Sequence, residues 1–357
     1  MFRERTSCRK KARNHSSRKL TIIPSPYAWP YVPLNGSQVN GSQVKGSQVK
    51  GSQVKGHRRY LIAASRSTNR RLLLCRSSIA RRRFSKSAIV PLIAEGNLVL
   101  AFAHGERQAR YDLTDVLTTA RPKPGGWVID GAKSVVLHGD SAQRLVVSAR
   151  TAGERDDPDG ITLFLVDAVG SGVARRGYPM RDGTRAAEIS LSGVEIGHGD
   201  LLGEVGAALP VIERVVEAGI AATAAEAVGA METMQAMTLE YLKTRQQFGK
   251  PIGQNQVLQH RASEMLMALE QGRSMAMLAA MMVEEPDAAE RAHNIAMAKV
   301  GVGQASKFVS QNAVQLHGGI GMTEEYAVGH YFRRCMVIEH SFGDTGYHLS
   351  RLADEVR

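Results

Sequence analysis

The spacing of apolar residues changes near residue 203, and that change predicts two unlike domains. Between 96 and 203 the apolar residues fall in short runs separated by turn signals. Leu98-Val99-Leu100-Ala101-Phe102-Ala103 is a candidate buried strand. The stretch 125–133 reads as a hairpin around Asp130-Gly131. Residues 134–137, 144–148, 161–166 and 188–191 are further strands, and this spacing predicts a small β-sandwich or barrel. After Gly203 the apolar residues recur every three or four positions. Helices are predicted over 207–243, 253–284, 287–316, 323–334 and from 344 to the end, forming an up-down bundle with Met-rich faces in its core. The fold class is therefore α+β.

Upstream the pattern is different. Residues 36–55 are four tandem pentapeptides, one GSQVN and three GSQVK, which cannot bury a core and predict disorder. The expected organisation is a disordered basic leader over 1–86, a β domain over 87–203 and a helical domain over 204–357. The abrupt change at Ser87-Ala88-Ile89-Val90-Pro91 suggests that the leader is the translation of a DNA tandem repeat and its flanks, joined by a frameshift or a misplaced start. An organelle transit peptide fits the Arg- and Ser-rich, acid-poor composition but not the length or the repeat.

Charge follows the same division. Residues 1–87 hold 21 of the 46 Lys/Arg and one of the 34 acids, a net of +20. The rest holds 25 bases and 33 acids, a net of −8. A nucleic-acid role would rest on the leader alone. Three cysteines without disulfide or zinc spacing point to a reducing, cytoplasmic setting, and no apolar run reaches the roughly 18 residues of a bilayer span. No metal site is expected.

Two blocks carry the chemistry. One is Arg245-Gln246-Gln247-Phe248-Gly249-Lys250-Pro251-Ile252, and the other is Gln315-Leu316-His317-Gly318-Gly319-Ile320-Gly321. Arg245 offers a fork of donors suited to a pyrophosphate. Phe248 can pack on an aromatic ring edge, and Gln256 and Gln315 can satisfy a polar one. Gly318, Gly319 and Gly321 let a backbone approach phosphate. Alone, Arg245 reads as a solvated helix charge and the glycines as a helix stop; in combination they favour a cofactor site. His317 and His340 read as structural histidines.

These paired blocks, in this order and separation, resemble the flavin-dependent acyl-CoA dehydrogenases over about residues 88–357. Arg110-Tyr111-Asp112 and Phe342-Gly343-Asp344 are similar to small subunits of heteromeric members, closest to the pimeloyl-CoA dehydrogenase type. The resemblance implies FAD bound through Arg245, Phe248, Gln256, Gln315, Gly318 and Gly319 of a neighbouring subunit, hence a homo- or hetero-oligomer. It also implies an acyl-CoA substrate, an electron-transfer flavoprotein as a possible partner, and an N-terminal helical domain for which residues 1–86 show no pattern. The chain departs from the family at two flavin-facing stretches. Gly105-Glu106-Arg107-Gln108-Ala109 keeps only the Glu of the usual loop, and Val135-Val136-Leu137 replaces Trp-Ile-Thr, with Trp127 expected in the core.

The reaction implied by the resemblance is α,β-dehydrogenation of an acyl thioester. It needs a carboxylate to take the α-proton and donors to the thioester carbonyl. Phe342 stands where the family places its usual Glu. Glu213, in a Glu-Arg pair on the first long helix, and Asp344, two residues beyond Phe342, are the candidate bases. The alternative is a non-catalytic subunit that completes the FAD site of a heteromeric partner.

Overall fold

The computed structural model describes residues 86–355; the expectations for the leader lie outside them. A helix, α1 (Lys86–Glu95), precedes the first strand. No helical period is legible there because Pro91 interrupts it. Eight strands follow: β1 (Leu100–Ala103), β2 (Thr119–Lys123), β3 (Gly126–Leu137), β4 (Arg144–Arg150), β5 (Ile161–Asp167), β6 (Val173–Pro179), β7 (Arg185–Gly197) and β8 (Leu201–Leu202). They form one mixed sheet in the order β6-β7-β3-β2-β4-β5-β8, with β1 parallel to β4.

β4 and β5 are near-continuous apolar runs because both of their faces are covered. Leu145, Val147, Phe164 and Val166 point into an interior shared with Ile129, Val136, Ile189 and Leu191 of β3 and β7. Val146, Leu163 and Leu165 face the other way, onto Ile212 and Val215 of the first long helix, with Ile89, Val90 and Ile93 of α1 packed alongside. Trp127 packs against the first of these cores, as expected.

The hairpin expected at Asp130-Gly131 is not there. β2 and β3 pair from Thr119↔Asp130 to Lys123↔Gly126, so the turn falls at Pro124-Gly125. Asp130-Gly131 instead marks a bulge against β7. Gly131 sits so close to Thr118 that a Cβ would come within 2.5 Å of its Oγ1. Asp-Gly here serves a close approach of backbones rather than a reversal.

The helical domain is α2 (Leu209–Thr244), α3 (Gln256–Met282), α4 (Ala288–His317), α5 (Ala327–His340) and α6 (Thr345–Asp354). Four of the predicted helices form within about three residues of their expected ends, while the one expected over 323–334 starts later and runs on to His340. Ala227, Met231, Met234, Met265, Val302, Val309 and Ala313 make the bundle core, so the methionines are filler as predicted. Near the bundle end that holds the α2 and α4 N-termini, Arg291 of α4 bonds Glu217 of α2 at 2.5 Å, with side-chain exposures of 6% and 10%. Arg291 also donates to the carbonyls of Glu285 and Asp287, and Arg214 donates to that of Glu285. The α3–α4 connection is thus tied to α2.

Among the described residues no helix is long and apolar enough to cross a membrane. Replacing Glu217 by Ala leaves a buried guanidinium without its carboxylate. The expected loss is about 3 kcal/mol of unfolding free energy, read as a fall in the urea midpoint at unchanged slope.

Candidate functional site

Two regions collect the residues of interest. The first is a cleft of about 1710 Å³ between the sheet and the bundle. The sheet side contributes much of the 100–113 stretch, Ser134, Val135 and Glu188; the bundle contributes one face of α2, α5 from Phe332 onward, and Tyr347, His348 and Arg351 of α6. Arg334 of α5 braces it: its Nε and Nη2 hold both oxygens of Glu226 on α2 at 2.6 and 2.8 Å, and its Nη1 holds Asp182 of the β6–β7 turn at 2.7 Å.

The sheet side is organised by a buried ion pair. Lys133 is fully buried and Glu106 is 5% exposed. The Lys133 Nζ donates to Glu106 Oε1 at 2.6 Å, to Ser148 Oγ at 3.0 Å and to the His104 carbonyl at 3.2 Å. Glu106 also accepts from the backbone of Leu117 and Thr118, the Thr118 hydroxyl and Gln108. Burial opposes the charge on Glu106, but Lys133 and these donors outweigh it and hold the carboxyl at about 2. Burial pulls Lys133 down to about 8, against the attraction of Glu106. Burial, then the Lys133 charge, pushes His104 down to about 3.

The pair fixes two segments of the cleft wall. Ser134 donates its N–H to the Gly105 carbonyl at 2.8 Å, and the β3–β7 register breaks between Lys133 and Val136. Val135 there has φ +53° with its side chain turned out of the sheet. A β-branched residue at positive φ is strained. Of the five described non-glycine residues with positive φ, four (Arg110, Val135, His138 and Phe342) line this cleft. Backbone strain concentrated this way marks a functional wall, and no sequence pattern announces it.

The cleft is electropositive. Its carboxylates are engaged: Glu106 by Lys133, Glu188 by the Tyr178 hydroxyl, Glu226 by Arg334. Among the described residues Arg107, Arg110 and Arg181, which also line it, form no ion pair. The guanidiniums of Arg107, Arg110 and Arg181, the out-turned Val135 side chain and a cleft of this volume fit a phosphate-bearing, ring-containing cofactor such as FAD.

Phe342 closes one wall. It has φ +60° and packs on Gly219 of α2, where a Cβ would lie 2.6 Å from its ring. Neither candidate base reaches that place. Glu213 lies about 9 Å along α2 from Gly219 and is not part of the cleft wall. Burial and then the Glu217 carboxylate raise its carboxyl, with Arg351 and Arg291 pulling back. Asp344 is the N-cap of α6 and accepts from the Tyr347 N–H at 2.8 Å. Its carboxylate is held by the helix, which explains its place after Phe342-Gly343 without invoking catalysis.

The second region is the far end of the bundle, where α2 ends, α3 begins and α4 ends. Here the two sequence blocks meet. Tyr241, one turn before Arg245, stacks on His317 at 4.6 Å, and Tyr326 packs on both rings. His317 is buried, as its structural reading predicted; His340 instead lines the cleft. Arg245, Phe248, Gln256, Gln315, Gly318 and Gly319 are all exposed, and none lines the cleft. Short strands β9 (Gln246–Gln247) and β10 (Lys250–Pro251) form a hairpin whose turn is Phe248-Gly249, with φ +55° and +77°. Phe248 is 98% exposed. An aromatic held at positive φ in water is a poor choice for the fold and a good one for a surface that another molecule covers. No described group of His, Cys, Asp or Glu is arranged to hold a metal ion.

Comparison with known proteins agrees with this geometry. The acyl-CoA dehydrogenase middle domain matches residues 101–194, and the acyl-CoA dehydrogenase C-terminal domain matches residues 209–356. A 3-(aryl)acrylate reductase of Clostridium sporogenes is 28% identical over 70% of this chain and 66% of its own length. The human mitochondrial short-chain specific acyl-CoA dehydrogenase is 27% identical over 71% of this chain and 62% of its own. The chain thus spans under two thirds of these relatives. The butyryl-CoA dehydrogenase structure from Megasphaera elsdenii superposes with a TM-score of 0.70 at 25% identity, covering 76% of this chain and 71% of that one.

Two outcomes test the geometry. Phe248→Asn gives the turn its preferred Asn-Gly sequence and is expected to stabilise the free chain by about 1 kcal/mol, read by urea unfolding, while lowering the FAD retained on purification. Glu106, held below its ordinary 4.5 at about 2, contributes stability that is complete above pH 4.5 and lost as pH falls towards 2. Glu106→Gln is expected to be less stable at pH 7 and to lack that part of the acid unfolding curve.

Proposed function

From the premise that the chain carries the middle and C-terminal domains of the acyl-CoA dehydrogenases, we propose that it is an FAD-dependent oxidoreductase subunit acting on an acyl-CoA thioester by α,β-dehydrogenation. The observation that carries this reading is the cleft itself: strained residues converge on it, its carboxylates are internally paired, and Arg107, Arg110 and Arg181 line it without an ion pair among the described residues.

Bound flavin supplies the hydride acceptor. The residues of this chain hold and orient. Lys133 and Glu106 fix the wall at Ser134–Val135, and Arg107, Arg110 and Arg181 offer donors to phosphate. The exposed group of Arg245, Phe248, Gln256, Gln315, Gly318 and Gly319 reaches the cofactor of a neighbouring subunit, so the working form is a homo- or hetero-oligomer. An electron-transfer flavoprotein then reoxidises the assembly. Glu213 and Asp344 stay proposed bases, with Asp344 disfavoured by its capping bond.

One observation favours a second reading. The Phe342 ring on Gly219 fills the wall where the resemblance expects a base, which suits a subunit that completes a partner's FAD site without performing the chemistry.

The purified chain is expected to be yellow and to lose its flavin absorbance near 450 nm on anaerobic addition of a suitable acyl-CoA. FAD that appears only after mixing with a related subunit, without bleaching by any acyl-CoA on this chain alone, supports the second reading and rejects the first.

A further inference from the structure

Lys133, Ser148 and His104 form a polar chain that ends in the cleft. Lys133 Nζ donates to Ser148 Oγ at 3.0 Å, and Ser148 Oγ lies 2.9 Å from Nδ1 of His104. An ammonium only donates, so the Ser148 hydroxyl keeps its own proton, and among the described residues His104 Nδ1 is the one acceptor beside it. Nδ1 therefore accepts, and the proton of the neutral ring is on Nε2. Burial, then the Lys133 charge, keeps that ring neutral.

His104 is 7% exposed and lines the cleft. The Phe102 ring, which lines it too, stacks on the imidazole at 5.7 Å with the planes 8° apart. Nε2 of His104 bonds no described residue, yet it is not one of the six described side-chain polar atoms that are sealed from solvent without a partner. The Nε2–H thus opens onto the cleft as an unused donor. Its direction is fixed by Ser148 behind it, by Phe102 on its face and by Lys133, which also binds the His104 carbonyl at 3.2 Å. A donor locked in one tautomer and polarised by a buried ammonium needs no reorganisation when an acceptor arrives.

We propose that the Nε2–H of His104 donates a hydrogen bond to the carbonyl edge of the flavin ring and favours the reduced form of that ring. This rests on the reading of the cleft as an FAD site. His104 precedes Gly105, whose carbonyl takes the Ser134 N–H at 2.8 Å, so the donor belongs to the same wall as the out-turned Val135. A flat, rigid ring on that wall suits a donor of fixed direction better than a flexible acyl chain does. The pyrimidine edge of a flavin carries carbonyl acceptors and gains negative charge on reduction, so a donor there bonds the reduced form more strongly than the oxidised one. Lys133 and Ser148 are positioning residues. They set the tautomer and direct a buried charge towards the cleft without touching the ligand.

The test is the two-electron reduction potential of FAD bound to the full chain, read by equilibration with a reference dye. His104→Leu is expected to shift the reduction equilibrium about tenfold towards oxidised flavin, a fall of about 30 mV, which is the strength of one hydrogen bond. His104→Gln, whose amide N–H replaces Nε2–H, is expected to restore most of the shift. An unchanged potential in a folded His104→Leu protein that retains FAD overturns the proposal and leaves the cofactor reading standing. An unchanged potential combined with weaker binding of butyryl-CoA gives the donor to the thioester carbonyl and likewise overturns it. A wild type that takes up no FAD, alone or mixed with a related subunit, overturns the cofactor reading and the proposal with it. Should His104→Leu not fold, histidine-selective 15N NMR of the wild type decides. A protonated Nε2 beside a lone-pair Nδ1, with the Nε2 signal shifting on addition of FAD, is expected; a protonated Nδ1, or an Nε2 signal that stays in place, overturns the proposal.

Discussion

The geometry of the cleft depends on one buried ion pair. Lys133 and Glu106 sit in the interior of the sheet domain, where two unpaired charges would cost several kcal/mol each. Both are tolerated because every bonding position is used: three acceptors surround the ammonium and five donors surround the carboxylate. The same bonds join the 104–108 segment, the 117–118 segment and β3. Two stretches that are distant in sequence thereby become one rigid wall. This explains why Glu106 alone remains of the loop that otherwise departs from its family: its task is to hold the wall, and the side chains around it are free to vary.

Strain follows from that rigidity. Val135 can be kept at positive φ because Lys133 on one side and the β3–β7 ladder on the other leave it no alternative. Phe342 is kept at positive φ by the Gly219 hollow, the His348 bond to its carbonyl and the close packing of Gly343 against Tyr347 and His348. Arg334 then sets the distance between sheet and bundle by holding Asp182 and Glu226 together. The cleft is thus built from over-determined contacts, and its strained residues are where those contacts end.

The exposed end of the bundle obeys the opposite logic. Tyr241, His317 and Tyr326 stack to fix where α2 and α4 end, and the residues beyond them are left in water. A fold built for one chain alone gains nothing from Phe248 at 98% exposure and positive φ. The arrangement suits the proposed oligomer, in which a second subunit covers this end and the proposed cofactor-binding residues of one chain serve the cleft of another.

Much of this was legible in the residues. The 3.6 period of long Ala/Met-rich segments identified five helices, four of them nearly to their ends, because amphipathic spacing is a local property. The two blocks identified the family, because both survive whole. Other features were not legible. Asp130-Gly131 looked like a hairpin, since a bulge and a turn use the same residue types and only the pairing partner distinguishes them. α1 was hidden by Pro91. Which residue of α2 meets Phe342 was not legible either: the packing of Ile212 and Val215 on the sheet sets the rotation of α2 and turns Gly219 towards the Phe342 ring. His104 gave no signal at all. By itself the sequence determined the helices, the two-domain order and the family-bearing blocks. Only the tertiary structure decided which groups meet in the cleft and which nitrogen of His104 is left unpaired, because these depend on packing between elements far apart in the chain.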